Sequence, residues 1–360
     1  MTAARAVVAL VSTVTVAASL FACTLTRSLD YLTSGEADGG GSGRDGGDAL
    51  GDSGAGVAAP LAPAQFSPRN LAQDAESLYW TNGDGAIMTV PKTGGATRTI
   101  ATIAPPATVT WLSADSAAGG DLFLIVDDAV KRVPKAGGEV VLVERDLPKP
   151  AVLAVDTNAI FVVHGDLDAV EPGFLARYAR DGSTRTTLSP EDHEPRALAL
   201  HGSSVFWAAD GLEVSGVFEL PKDAAEDAGV PTLIYGDDDL FIDAAEAFAV
   251  DDQAIYFLDF ETLRRLDRGS PDPRTKLTTL FEPPEGTVPT AFAHDTTNLY
   301  VVDRRARGAI IRVPKTGGPP SALASDQDVP TSVGADATAI YFTVQGTGLA
   351  PDGAVVRIVK

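Results

Sequence analysis

Residues 295–318 read DTTNLYVVDRRARGAIIRVPKTGG. Asp295 is followed by turn formers, then by the apolar-aromatic-apolar triplet Leu299-Tyr300-Val301. A charged loop separates this from Ile310-Ile311-Arg312-Val313-Pro314-Lys315 and a Thr316-Gly317-Gly318 turn. Aromatic and β-branched residues in short runs suit a pleated, half-buried strand. Proline at the end of a run removes a ladder donor and stops pairing, and glycine supplies the positive φ of a tight turn. The stretch therefore reads as two antiparallel strands and the start of a third.

The same pattern recurs along the chain from about residue 60. An anchor stands at Asp74, Asp115, Asp156, His201, Asp251, Asp295 and Asp336, and triplets follow that begin at Leu78, Leu122, Ile160, Val205, Ile255, Leu299 and Ile340. Anchor spacings are 41, 41, 45, 50, 44 and 41. A period in the forties with strand-like content belongs to a repeat architecture built from one supersecondary unit. Each unit holds an apolar strand A before the anchor, the triplet as strand B, a Val-Pro-Lys-type strand C and a returning strand D. The versions of strand C at 87–92, 130–135 and 310–315 match one another well, and those at 217–222 and 263–268 are looser.

The seventh unit reaches Lys360 on its strand C. Its strand D is found at the other end: Leu61 and Leu323 each lie 13 residues before an anchor, and Pro68, Pro150, Pro195, Pro289 and Pro330 each lie six before. Pro60–Phe66 is thus expected to close the last unit. Closure removes long free edges, whereas an open solenoid needs capping repeats. The expectation is an all-β, closed β-propeller of seven four-stranded blades, with six blades plus an irregular unit as the alternative because the units of Asp115 and His201 depart most from the pattern.

Tyr79-Trp80-Thr81-Asn82 is similar to the YWTD motif of low-density-lipoprotein-receptor-type propellers, with Asn82 in place of its Asp. The Val-Pro-Lys-x-Gly-Gly turns resemble those of secreted bacterial propeller lipoproteins and of TolB-like or NHL-like sensors. The resemblance covers about 300 residues at the level of repeats, supports the fold, and leaves function open.

The amino terminus reads as an address. Arg5 precedes an apolar run from Ala6 to Ala22, which has the length of a signal-peptide core. The run ends Leu20-Phe21-Ala22-Cys23, which resembles a bacterial lipobox, and Cys23 is the sole cysteine. The resemblance implies cleavage before Cys23 and acylation of that residue, and two or more acyl chains anchor stably. Residues 1–22 are then a signal peptide and 23–59 a Gly/Asp-rich tether whose 26 most glycine-rich residues span ~30 Å, with the propeller at 60–360. This predicts an exported, membrane-anchored lipoprotein, periplasmic or at the cell surface.

Net charge is −21 over 360 residues. A field of that sign repels phosphate backbones, so nucleic acid is not an expected partner. A single thiol excludes intrachain disulfides and polythiolate zinc sites. His164, His193, His201 and His294 show no metal-ligand spacing, and neither Gly-x-Ser-x-Gly nor a phosphate loop is present in the repeats. No cofactor is therefore expected, and no catalytic residue is assigned.

Regular spacing makes the anchors turn-capping residues rather than a ring of acids, with His201 the one departure. The lysines Lys92, Lys135, Lys222 and Lys315 read either as a basic rim or as solvated turn residues. Asp237, Asp238, Asp239, Asp243 and Glu246 form the densest acidic run. The uneven B–C loops are where grafted function is expected. Candidate ligand-binding residues there are His164, Asp166 and Asp168, and Asp303, Arg304, Arg305 and Arg307, whose guanidinium groups suit carboxylate or phosphate. The expected function is a monomeric scaffold or binding module for a protein, peptide or glycan. A lactonase-like propeller hydrolase or lyase with a channel metal, and a structural envelope protein, are the alternatives.

Overall fold

The structure is a computed structural model that describes residues 51–52, 57–117, 119–165, 173–189, 193–211, 215–226, 231–236, 247–269 and 277–360. All its regular elements among these residues are strands, and they form seven antiparallel blades. Blade 1 runs A to D as Arg69–Gln73, Ser77–Thr81, Ala86–Pro91 and Arg98–Thr102. Blade 2 is Val109–Ala114, Asp121–Val126, Ala129–Pro134 and Val141–Glu144. Blade 3 is Pro150–Val155, Ala159–His164, Phe174–Ala179 and Arg185–Thr187. Blade 4 is His193–His201, Ser204–Gly211, Gly216–Pro221 and Thr232–Gly236. Blade 5 is Phe248–Val250, Ala254–Asp259, Thr262–Asp267 and Leu277–Phe281. Blade 6 is Pro289–His294, Asn298–Asp303, Gly308–Pro314 and Ser321–Gln327.

Blade 7 takes three strands, Pro330–Ala335, Ala339–Val344 and Gly353–Val359, from the carboxyl end and its fourth, Ala59–Gln65, from the other end. Ala59 pairs with Arg357, Pro60 with Val356, and Gln65 with Gly353. The expected closing strand is therefore present, and the ring has seven blades rather than six. The A strands of successive blades touch all the way round, including Pro330–Ala335 against Arg69–Gln73. The corner into blade 1 also repeats the corner into blade 7. Gln65 Nε2 donates to Pro63 O at 2.9 Å, and Gln327 Nε2 to Ser325 O at 2.7 Å. Ala64 and Ser67, like Asp326 and Val329, adopt left-handed φ. Within the span read as a tether, Gly51–Asp52 pairs in parallel with Ser321 and Ala322 on the outer edge of blade 6.

The triplets lie where the sheets are covered on both faces. Every residue of Ala159–His164 and Ala339–Val344 is buried. The apolar core is divided into seven clusters, one per seam between neighbouring blades. The closing seam is built like the others: Ala62, Tyr341 and Val355 of blade 7 meet Leu78, Trp80 and Val90 of blade 1. Each fully buried side chain of this size contributes about 1.5–3 kcal/mol.

Candidate functional site

Two faces follow from this topology. Strand A runs toward its anchor, so all the A–B turns open on one face, and the B–C loops with the D–A corners open on the other.

The anchor face is a structural joint. Asp74 Oδ1 accepts from the amides of Glu76 and Ser77 at 2.9 and 2.8 Å. Asp156, Asp251, Asp295 and Asp336 cap their turns in the same way, and Asp115 accepts from Ala117. The second oxygen of Asp74, Asp251, Asp295 and Asp336 accepts from the tyrosine five residues on. That oxygen also meets a cation from the next blade: Lys135 on Asp74 at 2.7 Å, Lys315 on Asp251 at 2.6 Å, Lys92 on Asp336 at 2.9 Å, and Lys360 on Asp295. Lys222 approaches Asp156 at 3.3 Å and Arg180 pairs with Asp115 at 2.5 Å.

Lys135 stacks over Tyr79 of the preceding blade at 5.6 Å, and Lys92, Arg180, Lys315 and Lys360 stack in the same way on Tyr341, Phe123, Tyr256 and Tyr300. A second link runs alongside. Arg98, Arg177, Arg265 and Arg357 each donate to the carbonyl of the next blade's lysine, namely Lys135, Lys222, Lys315 and Lys92.

Burial pushes Asp74 up, but Lys135, the two turn amides and Tyr79 outweigh it and hold the carboxyl at about 2. The same opposition leaves Asp251 at about 2 and lowers Asp156, Asp295 and Asp336. The lysines are neither a basic rim nor solvated. Lys135 and Lys315 side chains are 5% and 6% exposed, because each is drawn between two blades. The seam between blades 4 and 5 differs. His201 takes the acceptor's place and pairs with Asp252 at 2.8 Å, while Arg268 stacks on Phe206 at 4.8 Å.

The YWTD-like residues are structural as well. Thr81 Oγ1 donates to Arg69 O at 3.3 Å, Trp80 Nε1 donates to Asn82 Oδ1 at 3.0 Å, and Asn82 Nδ2 reaches Gln65 Oε1 on the closing strand at 3.2 Å. In blade 4 the residue matching Asn82 is Ala209, and the buried Trp207 Nε1 makes no hydrogen bond among the described residues.

On the opposite face a cavity of about 550 Å³ opens at the ring centre. Its lining includes Arg69, Thr110, Ala151, Thr290 and Thr331, all five residues before an anchor, and Arg304 and Gln345, both nine residues after one. Repeat register thus determines which positions face the mouth. No His, Asp, Glu or Cys is among its described lining residues, so the lactonase-like reading finds no donor set there. Among the described residues no group of three or more such side chains is placed to hold a metal.

The other candidate residues separate. His164, expected on an open loop, ends strand B of blade 3 at 1% exposure. Its ring stacks on Phe174 at 4.4 Å and its Nε2 meets Tyr178 Oη at 3.0 Å. Burial first, and Arg185 second, push it down to about 3, so it is neutral. Asp303 is fully buried and accepts from the Val288 amide at 3.0 Å and Arg305 Nε at 2.7 Å. Arg307 pairs with Asp326 at 2.7 Å in open solvent. Only Arg304 of that basic stretch is among the residues lining the cavity. Cys23, Asp166, Asp168 and the run from Asp237 to Glu246 lie outside the described residues. Reading the sequence locally missed Arg69, Thr290 and the interblade role of the lysines.

No family model matches the chain, and no curated protein matches it. Among solved structures, YCF48 bound to D1 peptide aligns over 87% of this chain and 99% of its own, with 11% identity and a TM-score of 0.60. A chain of the nidogen/laminin complex aligns over 72% and 97%, with 16% identity and a TM-score of 0.51. Puromycin hydrolase aligns over 86% of this chain and 55% of its own, with 15% identity and a TM-score of 0.57. At these identities the likeness is one of fold: the chain is a seven-bladed β-propeller.

Proposed function

We propose that the protein is a lipid-anchored, extracytoplasmic binding module that captures a protein or peptide partner on its B–C loop face. The observation that carries this is the character of that face. Around the polar mouth it presents Phe260, Val288 and Leu349 at 63%, 40% and 89% exposure. They come from a B–C turn, a D–A corner and a B–C loop of blades 5, 6 and 7. Large exposed apolar groups rimmed by polar residues suit partner contact. The fold is compatible with such a role, since YCF48 carries the D1 peptide on the same architecture.

The anchor follows from the Leu20-Phe21-Ala22-Cys23 junction, with the glycine-rich segment behind it as a spacer. Pull-down with the full chain from solubilised membranes is expected to recover one stoichiometric partner. Phe260→Asp with Leu349→Asp is expected to lose it while the circular dichroism spectrum is kept. Recovery unchanged by the double variant counts against this face. Cys23→Ser is expected to move the protein to the soluble fraction, and a variant that stays with the membrane refutes the anchor.

A further inference from the structure

The central mouth of the loop face is built to receive a negative charge, although the chain carries a net charge of −21. Arg69 and Arg304 both line it, and neither guanidinium has a hydrogen-bond or ion-pair partner among the described residues. Most other described arginines are committed: Arg132 to Asp121, Arg180 to Asp115, Arg264 to Asp259, Arg305 to Asp303, and Arg98 and Arg357 to carbonyls of the next blade. Thr290 Oγ1, on the lining of Arg304's own blade at the repeat position of Arg69, is shielded from solvent and has no hydrogen-bond partner among the described residues. The described lining holds no carboxylate to neutralise the two cations, while Trp111 and Val109 add an apolar wall. Arg196 occupies the register position of Arg69 in blade 4, and Glu246 that of blade 5, outside the described residues.

We propose that this mouth binds the C-terminal carboxylate of a peptide segment, with Arg69 and Arg304 holding the anion, Thr290 donating a hydrogen bond, and the Trp111 wall taking the last side chain. This rests on the partner-binding reading of the loop face. Three points select the ligand. Arginine forks match the two oxygens of a carboxylate. A strongly acidic protein repels a doubly charged phosphate more than a singly charged carboxylate. A cavity of about 550 Å³ at the hub of the ring takes one chain end, entering end-on, whereas an internal acidic residue must loop in and out.

The test uses the full chain and N-acetyl tripeptides ending in Leu or Phe, each as the free acid and as the C-terminal amide, with affinities from calorimetry. Benzoate, inorganic phosphate and an amidated peptide with an internal Glu are run beside them. The free acids are expected to bind and the amides to bind at least about tenfold more weakly. Arg69→Gln and Arg304→Gln are each expected to weaken the free acid about tenfold and to leave thermal stability unchanged, since neither group holds the fold. Equal binding of acid and amide, no binding of any free acid at millimolar concentration, or indifference to both arginine variants overturns the proposal. Equal affinity for benzoate, for phosphate or for the internal Glu peptide overturns the assignment to a chain terminus. Loss of partner capture in Phe260→Asp with Leu349→Asp, but not in the arginine variants, keeps the loop face as the docking surface and removes the carboxylate.

Discussion

Replacing Lys135 by methionine keeps the length of the side chain and removes its charge. The ammonium is 2.7 Å from Asp74, with the two side chains 5% and 10% exposed, and it also donates to the carbonyls of Asp115 and Ala117. Breaking a buried pair by removing one partner costs about 3–5 kcal/mol. Asp74 keeps two turn amides and the Tyr79 hydroxyl, so the lower end, about 3 kcal/mol at pH 7, is expected. The cost must depend on pH. Asp74 is held at about 2 against an ordinary 3.8, worth about 2.4 kcal/mol at neutral pH. Because the folded value is depressed, that stability is complete above the unfolded value and is lost as pH falls through the folded one. At pH 3 about 1 kcal/mol of it has gone, so the gap between wild type and Lys135→Met shrinks to about 2 kcal/mol. Urea unfolding followed by fluorescence of Trp80, Trp111 and Trp207 at pH 7, 5 and 3 measures this, and Asp74→Asn completes a double-mutant cycle. A loss below about 1 kcal/mol, or one that does not change with pH, refutes the interblade joint as a source of stability.

Three further outcomes are expected. The neutral, buried His164 is lowered to about 3, so stability rises with pH between that value and the unfolded 6.5. The difference between wild type and His164→Gln in urea titrations should narrow by about 3 kcal/mol from pH 7 to pH 4, and a constant gap counts against a neutral ring. Ala209→Asn places an acceptor where Asn82 serves Trp80, and should raise the unfolding free energy by about 1 kcal/mol through the unsatisfied Trp207 Nε1, read as a higher urea midpoint; a lower midpoint shows that blade 4 has no room for it. Deleting residues through Phe66 strips blade 7 of its outer strand and of the buried Ala62 and Gln65. The product should aggregate in gel filtration, and a monomer with a cooperative melt contradicts closure by that strand.

The fold was legible because it rests on features that repeat: the triplets, the proline six residues before five of the seven anchors, and Leu61 in register with Leu323. The capping role of the aspartates followed from the same regularity. The partners of the lysines were hidden because they sit on another blade, so that no reading within one unit pairs Lys135 with Asp74. The clue was present as spacing: Lys135, Arg180, Lys222, Lys315 and Lys360 follow the anchor of the preceding blade by 61, 65, 66, 64 and 65 residues. His164 looked like a loop residue, but it holds the last position of strand B, eight residues after the anchor as Asp303 and Val344 are in blades 6 and 7, and pairs with Phe174. Arg69 and Arg304 are 235 residues apart, and only a closed ring brings them to one hub.

The joint between blades has a direction: at six of the seven seams a unit offers its cation backward to a carboxylate held forward, and Lys92 to Asp336 repeats that arrangement across the junction of the two chain ends. A unit copied into the ring would therefore arrive with both halves of its coupling already in place, complementary to either neighbour. New chain ends can then be cut at another D–A corner without losing a coupling, because the couplings lie on the opposite face. At the seam of His201 the direction turns round: blade 4 supplies the imidazole and blade 5 the carboxylate of Asp252, while Arg268 keeps the backward stack on Phe206.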